Sequence, residues 1–186
     1  MLILGISGSL RSDSHNRRLL AAASRLLPED VEYEQFDELK TIPPFDEDDE
    51  EQPGEAVERW REAIAEADGL LFATPEYNGS IPGQLKNAID WASRPVEDPV
   101  MANKNAAVIG ASSSMFGAAW AQADLRKVLA TAGARVIDKD LPIAYALEAF
   151  DEDGRLTDAD IEARLVGIVS ELVEQARVSQ QLALAR

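Results

Sequence analysis

The sequence GLLFATPEYNGSIPGQLKNAIDWA, residues 69–92, contains two different apolar patterns separated by a loop rich in turn-forming residues. Residues 69–73 form a continuous apolar run, which is typical of a strand buried on both faces of a parallel sheet. In residues 84–92 the apolar side chains recur at spacings of three and four, which predicts an amphipathic helix. The segment therefore predicts one strand–loop–helix unit of an α/β protein.

The same alternation of strand and helix patterns extends in both directions along the chain. Predicted strands cover residues 2–7, 31–36, 69–73, 105–111 and 134–139, and predicted helices cover residues 17–27, 54–67, 84–92, 117–132 and 158–176. Strict alternation indicates a doubly wound parallel sheet with helices on both faces, because right-handed crossovers place successive helices there. Five strands favour the flavodoxin-like order 2-1-3-4-5 over the six-stranded dinucleotide-binding order. We expect residues 1–186 to form a single domain.

Composition excludes several classes of chemistry. The absence of cysteine excludes disulfides, thiolate catalysis and cysteine-based zinc sites, and the single histidine argues against a site with several histidine ligands. No apolar run approaches the roughly 20 residues that a membrane span requires. Because the first residues also lack the charged segment of a signal peptide, we expect a cytoplasmic protein with no metal ion and no membrane partner.

Charge is distributed unevenly along the chain. The net charge is −16, which should repel nucleic acid and anionic membranes. Residues 29–68 hold 17 acidic and three basic residues, and most of these acids are expected to form a solvated surface. Residues 1–28, in contrast, hold four arginines and one aspartate. An anionic ligand is therefore expected near the N-terminal segment.

Residues 8–16, Gly-Ser-Leu-Arg-Ser-Asp-Ser-His-Asn, join the first predicted strand to the first helix. In a doubly wound sheet, ligands bind at the carboxyl ends of the strands, where a helix N-terminus offers free amides to an anion. Ser9, Ser14 and Asn16 can donate hydrogen bonds to a phosphate, and Arg11 supplies positive charge. Neither the Walker pattern nor Gly-x-Gly-x-x-Gly is present. The alternative is that a serine or the aspartate of this loop only caps the helix.

Residues 74–83, Thr-Pro-Glu-Tyr-Asn-Gly-Ser-Ile-Pro-Gly, join the third predicted strand to the third helix. Two prolines and two glycines should fix an unusual backbone path with amides pointing outward. Tyr77 and Asn78 add an aromatic ring and an amide, so the loop suits a flat heteroaromatic ring with amide-like edges. The alternative is an ordinary turn in which Ser80 caps the next helix. Residues 110–117, after the fourth strand, begin with small residues that permit close approach of a ligand.

Together these segments resemble the NADPH-dependent FMN reductase family, which includes quinone, azo-dye and chromate reductases. The resemblance covers most of the chain from Met1 to about Pro142. Ser114 is a departure, because the family often has a glycine at this place. The matching motifs are Gly8-Ser9-Leu10-Arg11 followed by Ser14 and Asn16, most of the run from Pro75 to Trp91, Gly110-Ala111-Ser112, and Ala121-Gln122 followed by Leu125-Arg126.

The resemblance implies that FMN is held at three places. By analogy with the family, the phosphate is held by Ser9, Arg11, Ser14 and Asn16, the isoalloxazine ring by Pro75, Glu76, Tyr77 and Asn78, and the flavin is approached from the fourth strand by Ser112. No side chain is assigned as a general acid or base, because the redox chemistry belongs to the cofactor. His15 is expected near the phosphate and not in catalysis.

The resemblance also implies an activity, in which FMN accepts a hydride from NADPH or NADH and reduces a small acceptor. Quinones, flavins, azo compounds and metal oxyanions are the candidate acceptors. The alternatives are a flavodoxin-type electron carrier and a flavin redox sensor, neither of which would turn over NAD(P)H. A homodimer or homotetramer is expected, because Trp91 and Trp120 have no obvious place in a small α/β core and aromatic side chains are enriched at interfaces.

Overall fold

The computed structural model describes residues 1–184, which form one parallel sheet between two layers of helices. The strands are β1 (Leu2–Ser7), β2 (Glu32–Phe36), β3 (Gly69–Thr74), β4 (Asn105–Ala111), β5 (Arg135–Val136) and β6 (Pro142–Ile143). The α-helices are α1 (His15–Ser24), α2 (Glu55–Glu66), α3 (Gly83–Ala92), α4 (Ala119–Thr131) and α5 (Ala159–Leu184), and short 3-10 turns cover Leu39–Thr41 and Glu47–Asp49. The order is β2-β1-β3-β4-β5, with β6 also paired to β4, so the predicted flavodoxin-like topology is confirmed.

The core is divided into two layers because successive side chains of each central strand point to opposite faces. Helices α1 and α5 cover one face of the sheet, and helices α2, α3 and α4 cover the other. In β1, for example, Ile3 packs into the first layer while Leu4 and Ile6 pack into the second. Among the helices of residues 1–184, none is both long and apolar enough to cross a membrane.

The last predicted strand, residues 134–139, is two short strands in the structure. The chain leaves the sheet after Ile137, whose amide still donates to the carbonyl of Ala106, and it rejoins β4 at Pro142. The break coincides with the exposed charged residues 138–140, which a strand buried on both faces would not accommodate. Gln122, fully buried on α4, supports the return by accepting a 2.9 Å hydrogen bond from the Leu141 amide.

The expectation that Trp91 lies outside the core is wrong. Its side chain is fully buried, and its indole N–H donates to the Pro43 carbonyl at 2.9 Å. The segment that follows β2 folds across α3, so that Phe45 meets the Trp91 ring edge-on at a centroid distance of 4.9 Å. Only Trp120 of the two tryptophans remains exposed, with 51% of its surface accessible. Trp91 is therefore a core residue and presents no surface to a subunit interface.

Strand register brings the three predicted ligand loops together at the carboxyl ends of the central strands, which is called the carboxyl edge of the sheet below. Ser7 at the end of β1 is level with Ala73 of β3, and Thr74 of β3 is level with Gly110 of β4. The Gly8 amide extends the ladder by donating to the Ala73 carbonyl at 2.8 Å. The segments after β1, β3 and β4 therefore leave the sheet side by side.

Candidate functional site

Asn16 joins the first of these loops to the end of β4. Its Nδ2 donates to the Ala111 carbonyl at 3.0 Å, and its Oδ1 accepts from the Ala111 amide at 2.9 Å. The side chain is only 2% exposed, so both hydrogen bonds form away from solvent. Asn16 was predicted as a phosphate ligand, yet one N–H and one lone pair of its amide are used in holding two loops together.

The serines of the first loop bond to its own backbone. Ser14 is the N-cap of α1 and accepts from the Asn16 amide at 3.2 Å, so this serine does cap the helix. Ser9 Oγ accepts from the Arg11 amide at 3.4 Å, and both serines are buried. Within residues 1–184, the amides of the intervening residues 12 and 13 have no hydrogen-bond acceptor. The loop therefore presents free N–H groups at the positive end of a helix.

Most of the positive charge near this loop is already paired. Arg17 forms an ion pair with Asp37, and Arg18 forms one with Asp13 at 2.9 Å. Burial by itself would raise the pKa of Asp37, but hydrogen bonds from Gln35 and Arg17 outweigh burial and lower the pKa. Among the described residues, the exposed guanidinium of Arg11 has no carboxylate or carbonyl partner. Arg11 is therefore available to an anion at this edge.

His15 stands at the first position of α1. Partial burial lowers the pKa of its imidazole, and the positive charges of Arg18 and Arg11 lower it further. Its Nδ1 is buried and has no partner in the described part of the chain. A pKa below the ordinary value leaves the ring neutral at pH 7, so the side chain adds no positive charge there.

The second loop contains a tight turn. Tyr77 and Ser80 exchange two backbone hydrogen bonds of 3.0 and 3.1 Å, and the central residues Asn78 and Gly79 have φ values of 53° and 76°. Positive φ at both central positions defines a type I′ turn, which Asn-Gly favours. The amides of Tyr77 and Ser80 are thus used inside the turn, while half of the Tyr77 side chain is exposed.

Side chains of the second loop bond to α4 and not to the helix that follows them. Ser80 was considered as a cap of α3, but its hydroxyl donates to Asp124 Oδ2 at 2.8 Å, and the N-cap of α3 is Pro82. Glu76 Oε2 accepts from the amides of Trp120 at 3.0 Å and Ala121 at 3.1 Å. Sequence reasoning missed this contact, although the absence of a capping side chain before α4 was a visible signal.

The third loop folds back on itself and on β6. Ser112 Oγ accepts from the Ser114 amide and lies 3.1 Å from the Ser114 hydroxyl, so Ser114 is part of the local turn. Gly117 has a φ of 57°, and a Cβ there would come within 2.7 Å of the Ile143 backbone. Within residues 1–184, no group of three or more carboxylate or imidazole side chains is arranged to hold a metal ion.

Residues 1–148 match the model of a family described as NADPH-dependent FMN reductase. This chain belongs to that family. An NAD(P)H-dependent FMN reductase of Pseudomonas aeruginosa is 49% identical over 158 residues, covering 84% of each chain. A 2-hydroxy-1,4-benzoquinone reductase of a Burkholderia species is 38% identical, covering 83% of this chain and 85% of the relative.

A solved structure of a flavoenzyme is also similar to this chain. The flavoenzyme FerB of Paracoccus denitrificans, an NAD(P)H:(acceptor) oxidoreductase, superposes with a TM-score of 0.83 at 36% identity, covering 95% of this chain and 97% of its own. The protein is therefore an FMN-linked NAD(P)H oxidoreductase, as the motif resemblance implied. The electron carrier and the redox sensor are disfavoured, because these relatives are named as enzymes.

Proposed function

We propose that the three loops at the carboxyl edge of the sheet bind FMN and that quinones are the electron acceptors. The observation that carries the proposal is the Arg11 guanidinium, which has no partner among residues 1–184, next in sequence to the free amides of residues 12 and 13. A charged donor next to the N-terminus of a helix is a favourable site for a phosphate. The quinone reductases of Burkholderia and Escherichia coli, both at least 36% identical to this chain, support the choice of acceptor.

The phosphate end of the site is assigned to four residues of the first loop. Arg11 supplies the charge, and Ser9 and Ser14 offer hydroxyl groups whose oxygens are already engaged with backbone amides. Asn16 retains one N–H beyond its bond to Ala111 and also fixes the loop in place. These donors fit a dianionic phosphate better than they fit an uncharged ligand.

The ring end of the site is assigned to Pro75, Glu76, Tyr77, Asn78 and Ser112. The Glu76 and Asn78 amides have no acceptor within residues 1–184, so they can bond to polar edges of an isoalloxazine ring. Bound FMN supplies the redox chemistry, taking a hydride from NAD(P)H and giving two electrons to the acceptor. The chain's own part is to bind and orient the ring and to leave one face open. We place this activity in the cytoplasm.

We expect the purified protein to be yellow, to bleach with NADPH in the absence of oxygen, and to follow ping-pong kinetics with a quinone. The chain has one phosphate-binding loop and no second glycine-rich fingerprint, so NADPH and quinone must use the same open face in turn. Steady-state rates at several fixed quinone concentrations should give parallel double-reciprocal lines, with high quinone competing against NADPH. Converging lines together with a measurable ternary complex would instead indicate a separate nicotinamide site.

We also propose that the protein is a homo-oligomer that pairs through the groove between α3 and α4. This groove has a volume of 420 Å³ and contains the apolar side chains of Ile89, Val96 and Val128. Val96 is 66% exposed, so this part of the groove presents apolar surface to water. Burial against a second copy would remove this surface from water.

Light scattering at micromolar concentration is expected to give at least twice the 20.2 kDa chain mass. Val96→Glu should shift the protein towards the monomer, because it places a charge in the proposed interface. Val178→Glu is the matched control, since Val178 is a half-exposed valine on α5 and its variant should remain associated. A wild-type monomer, or an equal response of the two variants, would contradict this interface.

A further inference from the structure

Two exposed aromatic side chains stand at the start of α4, next to the proposed ring end of the site. Phe116 and Trp120 have ring centroids 4.6 Å apart and an interplanar angle of 53°. They are 48% and 51% exposed, whereas Trp60 and Trp91 are fully buried. The pair therefore offers aromatic surface to solvent.

The position of this pair depends on Glu76. Helix α4 begins at Ala119, and its N-cap residue Ala118 provides no side-chain acceptor for the free amides of the first turn. Glu76 accepts from the second and third of these amides, which are the two that an N-cap side chain normally bonds. A negative carboxylate is also favoured at this end of a helix dipole. The second loop therefore caps α4 from a distance of 44 residues in sequence.

Three further contacts restrict movement of the start of α4 and of the segment that leads into it. Ser80 donates to Asp124, one turn farther along α4, so the loop and the helix are joined at two points. On the other side, Tyr145 donates its amide to the Ser114 carbonyl at 3.2 Å, and Gly117 lies against the Ile143 backbone. Movement of the backbone that carries Phe116 and Trp120 away from the loop would break these hydrogen bonds.

We infer that Glu76 is a positioning residue that holds Phe116 and Trp120 as an aromatic wall for planar acceptors beside the second loop. The inference rests on the proposed function, because it takes that loop to carry the flavin ring. Aromatic rings bind one another through offset or edge-to-face contacts, so the wall favours a flat, aromatic acceptor over an acceptor that has no ring. Phe116 and Trp120 thus determine acceptor specificity, and Glu76 acts through them.

The first test compares 1,4-naphthoquinone with ferricyanide, an acceptor without a ring, in the FMN-loaded enzyme. Glu76→Ala should raise KM for naphthoquinone by about three- to tenfold, the scale of one aromatic contact. KM for ferricyanide should rise less than KM for naphthoquinone, so the ratio of the two KM values reports on the wall, and the rate of anaerobic bleaching by NADPH reports separately on the flavin site to which Glu76 is also assigned. Glu76→Gln keeps an acceptor oxygen of similar reach, so its KM for naphthoquinone should stay close to the wild-type value. Trp120→Ala should raise KM for naphthoquinone more than KM for ferricyanide, as Glu76→Ala does. Trp120→Phe should raise KM for naphthoquinone by less.

The second test measures binding without turnover. Trp120 is the exposed tryptophan, so acrylamide quenching and naphthoquinone quenching of tryptophan fluorescence report mainly on it. In the unreduced holoenzyme, Glu76→Ala should increase acrylamide quenching and weaken naphthoquinone quenching, while Glu76→Gln should do neither. Ser80→Ala removes only the hydrogen bond to Asp124. It should change both kinds of quenching in the same direction as Glu76→Ala, but by less.

Three results would overturn the inference. The first is an equal rise of KM for both acceptors in Glu76→Ala, which would make Glu76 a general structural residue. The second is unchanged naphthoquinone quenching in Trp120→Ala. The third is a loss of oligomerisation in Trp120→Ala without any effect on acceptor KM, which would assign the pair to a subunit interface. Failure of NADPH to bleach the wild-type protein would instead refute the proposed function, and the quenching measurement would still decide the role of the wall.

Discussion

Replacing Asn16 with alanine is expected to lower the free energy of unfolding by about 2–5 kcal/mol, because it leaves a buried N–H and a buried carbonyl of Ala111 without partners. Both groups bond to the Asn16 side chain and lie at the end of a fully buried strand. The same change should weaken FMN binding, since it separates the first loop from β4. Urea unfolding of the FMN-free protein and fluorescence titration with FMN measure the two effects separately.

Asn105→Ala is the matched control for this experiment. Asn105 is also a 2% exposed asparagine, and its Nδ2 donates to Gln175 and Ser179 on α5. It is the first residue of β4 and lies at the amino ends of the strands, whereas the proposed site lies at their carboxyl ends. Its loss should therefore reduce stability while leaving the Kd for FMN unchanged. If both variants weakened FMN binding to the same extent, the effect of Asn16 would be one of global stability.

The central strands and the loops of the site could be predicted because they depend on local patterns. Continuous apolar runs identified β1, β3 and β4 with end points within one residue of the structure. Once a parallel order is assumed, the segments that follow these strands must share an edge, so the three loops could be grouped before any contact was known. The location of the proposed site therefore follows from topology, independently of any single side chain.

Contacts between residues distant in sequence could not be predicted from such patterns. Trp91 is buried because a segment 48 residues earlier folds over α3, and Glu76 caps a helix 44 residues later. The hydrophobic period of α3 gives no information on what covers its outer face. A carboxylate in a turn-rich loop likewise gives no information on which amides it meets. Asn16 is a related case, since its residue type suits a phosphate and a backbone equally well.

Replacing Arg11 with alanine is expected to weaken FMN binding by about 1.5–3 kcal/mol, which is the scale of a hydrogen bond to a charged group. This corresponds to an increase in Kd of about 10- to 150-fold. Riboflavin lacks the phosphate, so its affinity should start lower than that of FMN and should be nearly unaffected by the substitution. Fluorescence titration of both flavins against wild-type and variant protein measures the difference directly.

An Arg25→Ala variant and a change in salt concentration distinguish a direct contact between Arg11 and the phosphate from a general effect of positive charge on FMN binding. Arg25→Ala removes the same charge from the far end of α1, where Arg25 donates to the Asp153 carbonyl, and it should leave the Kd for FMN within about twofold of wild type because the charge is exposed and screened. Raising the salt concentration should reduce the difference in Kd for FMN between wild type and Arg11→Ala, because the charge of the exposed Arg11 is then screened. If Arg11→Ala weakened riboflavin as much as FMN, the guanidinium would act on the fold of the loop. If it weakened neither, the phosphate would be held by the helix amides alone, and Arg11 would lie outside the site.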